Sequence, residues 1–174
     1  MIRESKISTD EKIFVEFGVE DYSEANTKFL LVNNFWRGLI MDGSKNNINK
    51  VKKSDLYWKA DLKAVDAWVD REQINQLIGD SGFSGKIGIL SIDIDGNDFY
   101  ITEAILKSGF EPDCFIVEYN AKFPPPIIYN MPYKENYVWK GGDEQGSSIQ
   151  FWVNFFQKYN TCLIIWLFNR ALYI

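Results

Sequence analysis

The chain has 174 residues, a net charge of −5, 46% hydrophobic residues and 16% aromatic residues. That is the size of one domain with enough apolar side chain to fill a core, and it excludes disorder and collagen-like structure. The acidic balance argues against sequence-independent nucleic-acid binding, and the lack of any histidine removes Ser-His-Asp and Cys-His catalysis, HExxH zinc sites and imidazole bases.

Residues 1–12 are polar and of mixed charge, without the apolar stretch of a signal peptide. Ile13-Phe-Val-Glu-Phe17 is a short apolar run stopped by Gly18, which predicts a buried strand. Asp21 and Glu24 have capping-box spacing, and Ala25, Phe29 and Val32 come after them at helical intervals. Gly38–Met41 reads as a second strand, ended by Asp42 and Gly43. Residues 45–53 carry Ile48 and Val51 on one face of a short helix. Leu56-Tyr-Trp58 is taken as a third, weaker strand leading to Asp61.

Asp70 and Gln73 again have capping-box spacing, ahead of Ile74, Leu77 and Ile78. The turn-rich stretch 79–85 closes that helix, and Ile87–Ile92 is the clearest central strand, running into Asp93-Ile-Asp-Gly-Asn-Asp98. The next helix carries Ile101, Ala104 and Ile105, with Gly109 as its C-terminal cap. Cys114–Val117 is a fifth strand ending at Glu118-Tyr-Asn120. The stretch 121–146 is a long loop rich in proline and aromatics. Ser147 and Gln150 mark a last helix with Ile149, Trp152, Val153 and Phe156 on one face, and a sixth apolar strand spans about 161–168. No apolar run approaches the ~20 residues of a membrane span. Cys114 and Cys162 each lie inside an apolar run, as buried thiols of a reduced compartment do. The protein is expected to be a soluble, cytoplasmic single domain over 1–174.

Alternating strands and helices predict an α/β domain with a mostly parallel, twisted sheet of about six strands and helices on both faces. In such sheets ligands bind outside the carboxyl ends of the strands, where the strand order reverses. The residues after each predicted strand therefore carry the functional weight, and each such group brings an acid. Asp42 lies 24 residues after Gly18, close to the ~20 that separate a glycine turn from a ribose-binding acid. A single glycine in place of G-x-G-x-x-G leaves a weak pyrophosphate cradle, so a ligand without phosphates is favoured over NAD or FAD.

Phe14-Val-Glu-Phe-Gly18, Gly38-Leu-Ile-Met-Asp-Gly-Ser44 and Leu90-Ser-Ile-Asp-Ile-Asp-Gly-Asn-Asp98 together resemble the class I, Rossmann-like S-adenosylmethionine-dependent methyltransferases, in particular the FkbM-like group. The resemblance covers about residues 13–120. It implies a Rossmann-like fold, S-adenosylmethionine as cofactor, and O-methylation of a small molecule or sugar. It further implies that Glu16 organises the methionine end and that Gly18 lets the backbone pass close. Asp42 would hold the ribose, Asp61 would sit by the adenine amino group with Leu62 against the ring, and Asp93 would lie near the transferred methyl. Glu20 and Tyr22 stand where many members have glycine. Asp93 and Glu118 are the candidate catalytic acids, needed as a base if the acceptor is a hydroxyl.

No metal is assigned. Asp93, Asp95 and Asn120, with Asp98 and Glu118 nearby, form a weaker oxygen-donor set for a divalent ion. The plainer reading makes Asp95 and Asp98 turn and cap residues. Two rivals come from the same residues. Asp93-Ile-Asp95 resembles the haloacid-dehalogenase-like phosphohydrolases, with Asp93 as nucleophile and Asp95 as acid. Alternatively the chain is a non-catalytic methyltransferase-fold remnant. Such folds end in an antiparallel hairpin of a sixth and seventh strand, whereas here only the sixth is legible. The chain is therefore read as truncated or frameshifted, with an unpaired apolar segment that promotes self-association. The remaining partner is a small-molecule acceptor, with no nucleic acid and no membrane. Phe123, Tyr129, Tyr133, Tyr137 and Trp139 are expected to wall an acceptor pocket.

Overall fold

The computed structural model describes residues 12–159 in full and the backbone of strands at 162–167 and 170–173. The chain runs through β1 (Ile13–Phe17), α1 (Lys28–Asn34), β2 (Arg37–Asp42), α2 (Lys45–Lys53), α3 (Asp55–Lys59) and β3 (Leu62–Asp66). Then come α4 (Ile74–Asp80), β4 (Lys86–Ile92), α5 (Asp98–Lys107), β5 (Glu111–Glu118), α6 (Ile149–Phe156), β6 (Cys162–Leu167) and β7 (Arg170–Tyr173).

The strands make one sheet in the order β3-β2-β1-β4-β5-β6-β7. All neighbours pair in parallel except β6 with β7. This is an α/β, Rossmann-like sheet, and the switch in strand order falls between β1 and β4. The first six strands have the order of dinucleotide-binding sheets, so strand order alone does not select a ligand.

Both faces are covered, which is why the strands read as near-continuous apolar runs. Alternation sends Val15, Phe17, Leu39, Met41, Leu90 and Val117 to one face, where Ile74, Ile78, Ile101, Ile105, Trp152 and Phe156 from α4, α5 and α6 meet them. Phe14, Ile40, Ile89 and Ile116 face the other way, under Leu30, Leu31, Ile48 and Val51 from α1 and α2. Cys114 is buried on this second face as expected. The Cys162 side chain and the polar segment before residue 12 lie outside the described residues.

Three expectations are corrected. Leu56-Tyr-Trp58 is not a strand but part of α3, started by the Ser54 side chain accepting from the Tyr57 amide. The third strand is Leu62–Asp66, so Asp61 precedes it instead of coming after it. Strong β-propensity in Leu-Tyr-Trp yielded to a local cap. Second, α1 buries Leu30 and Leu31, while Phe29 and Val32 are exposed, and Asp21 accepts from the Ser23 amide without capping the helix. Third, β6 pairs with β5 on one side and β7 on the other, so 162–167 is not an unpaired edge and the self-association expected there loses its basis. Tyr173 in β7 lies opposite Ile164. Among the described residues no helix is long and apolar enough to cross a membrane.

Candidate functional site

The carboxyl ends of β1 and β4 meet at Gly18 and Asp93. The Gly18 amide donates to the Met41 carbonyl (3.0 Å), and the Asp93 amide to that of Phe17 (3.3 Å). Gly18 has φ +74°, and a Cβ there would fall 1.6 Å from the Asp93 carbonyl oxygen. Only glycine fits, because the neighbouring strand end occupies the space. A cavity of about 450 Å³ opens outside this junction. Glu16, Gly18, Asp42 and Asp93 all line it, so four of the expected cofactor residues share one space. The volume lies in the range of small-molecule sites.

Glu16 points to the α1 face of the sheet and is 3% exposed. Its carboxylate accepts from the Asn26 amide (2.9 Å), the Thr27 amide (3.1 Å), the Thr27 hydroxyl and the Ser91 hydroxyl (3.3 Å). Burial raises its pKa, and these hydrogen bonds oppose the rise. Glu16 thus acts on the cavity through the loop it clamps, residues 18–27, not through a carboxylate left open. That loop keeps left-handed turns at Glu20 (φ 49°) and Tyr22 (φ 64°), a backbone region that favours glycine. Each costs on the order of 1 kcal/mol and persists because the Tyr22 hydroxyl and Glu16 both bind Thr27.

Asp42 closes β2. Its Oδ2 accepts from the Glu20 amide (2.8 Å) and its Oδ1 from the Ser44 amide (2.8 Å) and the Asn47 side chain (3.4 Å). A carboxylate has about four acceptor sites, so one hydroxyl can still be received beside these three donors.

Asp93, Asp95 and Glu118 form the acidic end. One carboxylate oxygen from each lies within 4.8 Å of the others. Burial first, then repulsion from Glu118, Asp98, Asp95 and Glu16, pushes Asp93 up to about 8. Burial and the charges of Asp98 and Asp95 push Glu118 up to about 7. Burial raises Asp95 as well, opposed by a hydrogen bond from Gln145. Gln145 Nε2 donates to Asp95 Oδ1 (3.1 Å) and to Glu118 Oε2 (3.0 Å) and Oε1 (3.2 Å). Such a trio of hard oxygen donors has the chemistry for a divalent ion.

The plainer reading holds for Asp98 and, in its backbone, for Asp95. The buried Asp98 carboxylate accepts from the Ile94 and Gly96 amides and shapes the turn into α5. Asp95 is a turn residue with φ 59°, and its carboxylate in addition meets Gln145 and lies near Glu118. Asn120 is corrected as a metal candidate. Its Nδ2 donates to the Asp143 and Gln145 carbonyls and its Oδ1 accepts from the Lys122 amide, so it holds a loop.

Asp61 and Leu62 are also corrected. They lie at the start of β3, where the Asp61 carbonyl accepts from the Gly38 amide and its carboxylate sits 3.9 Å from Arg37. That rim is opposite the cavity, and neither residue lines it. Trp68 and Val69, just beyond the carboxyl end of β3, do line it. Assigning the third strand one segment too early hid them. Their signal was present: an exposed-pattern tryptophan just after an alternating Leu-Lys-Ala-Val-Asp stretch.

Of the five aromatic residues expected to wall a pocket, Tyr137 and Trp139 line the cavity, together with Val138. The Tyr137 ring packs over Gly96, where a Cβ would meet it at 2.5 Å. Phe123 stacks on Tyr129, with ring centres 4.0 Å apart. Tyr133 carries the Arg71 guanidinium at 3.9 Å and bonds Glu72. These three support the loop and do not line the cavity.

No protein-family model matches this chain, and no curated protein matches it.

Proposed function

We propose that the cavity binds S-adenosylmethionine and that the protein is a methyltransferase acting on a hydroxyl of a small molecule or sugar. The observation that carries this reading is the charge of the lining. Glu16, Glu20, Glu24, Asp42, Asp93 and Asp95 line the cavity with Trp68, Tyr137 and Trp139, and among the described residues no lysine or arginine does. An acidic, aromatic cavity attracts a cation and repels phosphates. A sulfonium nucleoside fits that chemistry, whereas a dinucleotide or a phosphate ester does not.

Asp42 offers its remaining acceptor site to a ribose hydroxyl, and Trp68 and Val69 offer flat and apolar surface beside it. Asn26, held by Glu16, and Asp93 line the other part of the cavity. When bound, the cofactor supplies an activated methyl on a positive sulfur. Alignment and exclusion of water do the rest, because transfer is an in-line displacement. The acceptor oxygen takes the methyl and gives up its proton. Glu118, pushed up to about 7 and so part ionised at neutral pH, can receive that proton, and Asp93, pushed up to about 8, can do so once it ionises. The resulting carboxyl relieves the repulsion within the trio.

Calorimetric titration of the full chain with S-adenosylhomocysteine tests this reading. Micromolar binding, lost in Asp42→Ala, supports it. No binding, together with hydrolysis of p-nitrophenyl phosphate that disappears in Asp93→Asn, makes the protein a phosphohydrolase instead. Neither signal leaves a non-catalytic fold.

A further inference from the structure

We infer that Gln145 is a positioning residue: it latches the segment 134–144 over the cavity by holding Asp95 and Glu118 at the same time. The inference deepens the ligand-binding reading above and rests on it only for what the lid encloses.

The segment has a stem and a tip. The stem is tied down on the Asn97 side chain, which donates to the Lys134 carbonyl (2.8 Å) and accepts from its amide (3.2 Å). Lys134 pairs with Glu144 across the stem. Behind it, the Met131 amide donates to the Gly146 carbonyl (3.0 Å), and Asn120 holds the Asp143 and Gln145 carbonyls. The tip holds itself, through Tyr137 on the Glu144 carbonyl and Trp139 Nε1 on that of Gly142 (2.9 Å). Tyr137, Val138 and Trp139 lie along the cavity, and Val138 is 59% exposed. Gln145, where the tip returns, is the residue whose side chain reaches down to the acids.

An amide nitrogen carries two hydrogens, and here two carboxylates receive them. Asp93 receives none of them and lines the cavity. Gln145 therefore orients two members of a mutually repelling trio and leaves the third to the ligand. Lid position and acid geometry become one property. If the tip lifts, Asp95 and Glu118 lose a neutral donor between them and repel more strongly.

Hydrogen exchange on the full, ligand-free chain tests this with two variants. Gln145→Ala removes the donor. Gln145→Glu keeps shape and volume but puts a further carboxylate against Asp95 and Glu118. At pH near 8 the hydrogen-bonded amides of the stem, those of Met131, Lys134 and Gln145, should exchange about tenfold faster in the alanine variant and faster still in the glutamate variant. Exchange in β4 should be unchanged in both, which shows that the fold is intact. Wild-type exchange in Gln145→Glu would overturn the latch, since mere packing is preserved there. Release of S-adenosylhomocysteine should be faster in both variants. If the wild type binds none while the exchange order holds, the ligand is wrong and the latch stands. If binding is intact and the order is absent, the latch fails alone.

Discussion

The two rims of the sheet differ in chemistry. At the strand starts, Lys12 precedes β1, Arg37 opens β2, Lys63 is the second residue of β3, and Lys86 opens β4. At the strand ends stand Glu16, Asp42, Asp66, Asp93 and Glu118. The starting rim is used for structure. Arg37 lies 4.4 Å over the Phe83 ring and beside Asp61, at the solvent-facing edge. The ending rim encloses a cavity, and burial there raises the pKa of Glu16, Asp93 and Glu118. Parallel strands gather every strand end on one side, so acids far apart in sequence become neighbours only there. Their mutual repulsion is a cost that a purely structural rim would not retain.

The contrast is sharpest in glycine. Gly18 at the ending rim has no room for a methyl, while Gly109 at the opposite side has φ +90° and nothing within 4 Å. Gly18→Ala should cost at least about 3 kcal/mol in urea unfolding, because strain and a backbone clash combine. Gly109→Ala should cost only about 1 kcal/mol, from its backbone angle alone.

Next in size is the effect on ligand. Trp68→Ala should weaken S-adenosylhomocysteine binding by about tenfold in calorimetry, as expected for an aromatic wall worth roughly 1.4 kcal/mol. Asp61→Ala, at the residue the sequence alone placed by the adenine, should leave affinity unchanged. Equal losses in the two variants would dissolve the distinction between the rims.

The rims also differ in their response to pH. Asp93, Glu118 and Asp98 have folded pKa values of about 8, 7 and 6, all above the unfolded carboxylate range. The folded state therefore binds more protons, and stability falls as pH rises from about 4 to about 8. Urea midpoints should move down across that window. Asp93→Asn should raise the midpoint at pH 8, by an amount on the order of 1 kcal/mol, and flatten the slope. A midpoint that rises with pH would mean that these acids are not held close together.

The smallest effect belongs to the starting rim. Lys59→Ala removes an exposed ion pair with Asp55, 3.1 Å long, and should shift thermal unfolding by less than about 0.5 kcal/mol.

Much of this was legible in the residues. The runs at 13–17, 87–92 and 114–117 are strands because nothing but a two-sided core accommodates such apolar stretches. Gly18, Asp42 and Asp93 could be picked out because each ends such a run. Leu56-Tyr-Trp58 misled because its side chains suit a strand, while Ser54 and Asp55 start a helix turn there. That one slip put Asp61 and Leu62 at strand-end positions they do not hold, away from the cavity, and hid Trp68. Gln145 carried no local signal at all, since a glutamine in a polar loop has no periodicity to mark it.

The order of strands and helices, the buried positions and the acids at strand ends are local properties, set by side-chain hydrophobicity and turn chemistry along the chain. Which acids meet, which of them clamps a loop and which stays open to a cavity is not local. Those depend on the sheet order that puts β1 beside β4 and on a distant loop folding back to deliver an amide, because hydrogen bonds and charge repulsion act over a few ångströms of space, whatever the separation in sequence.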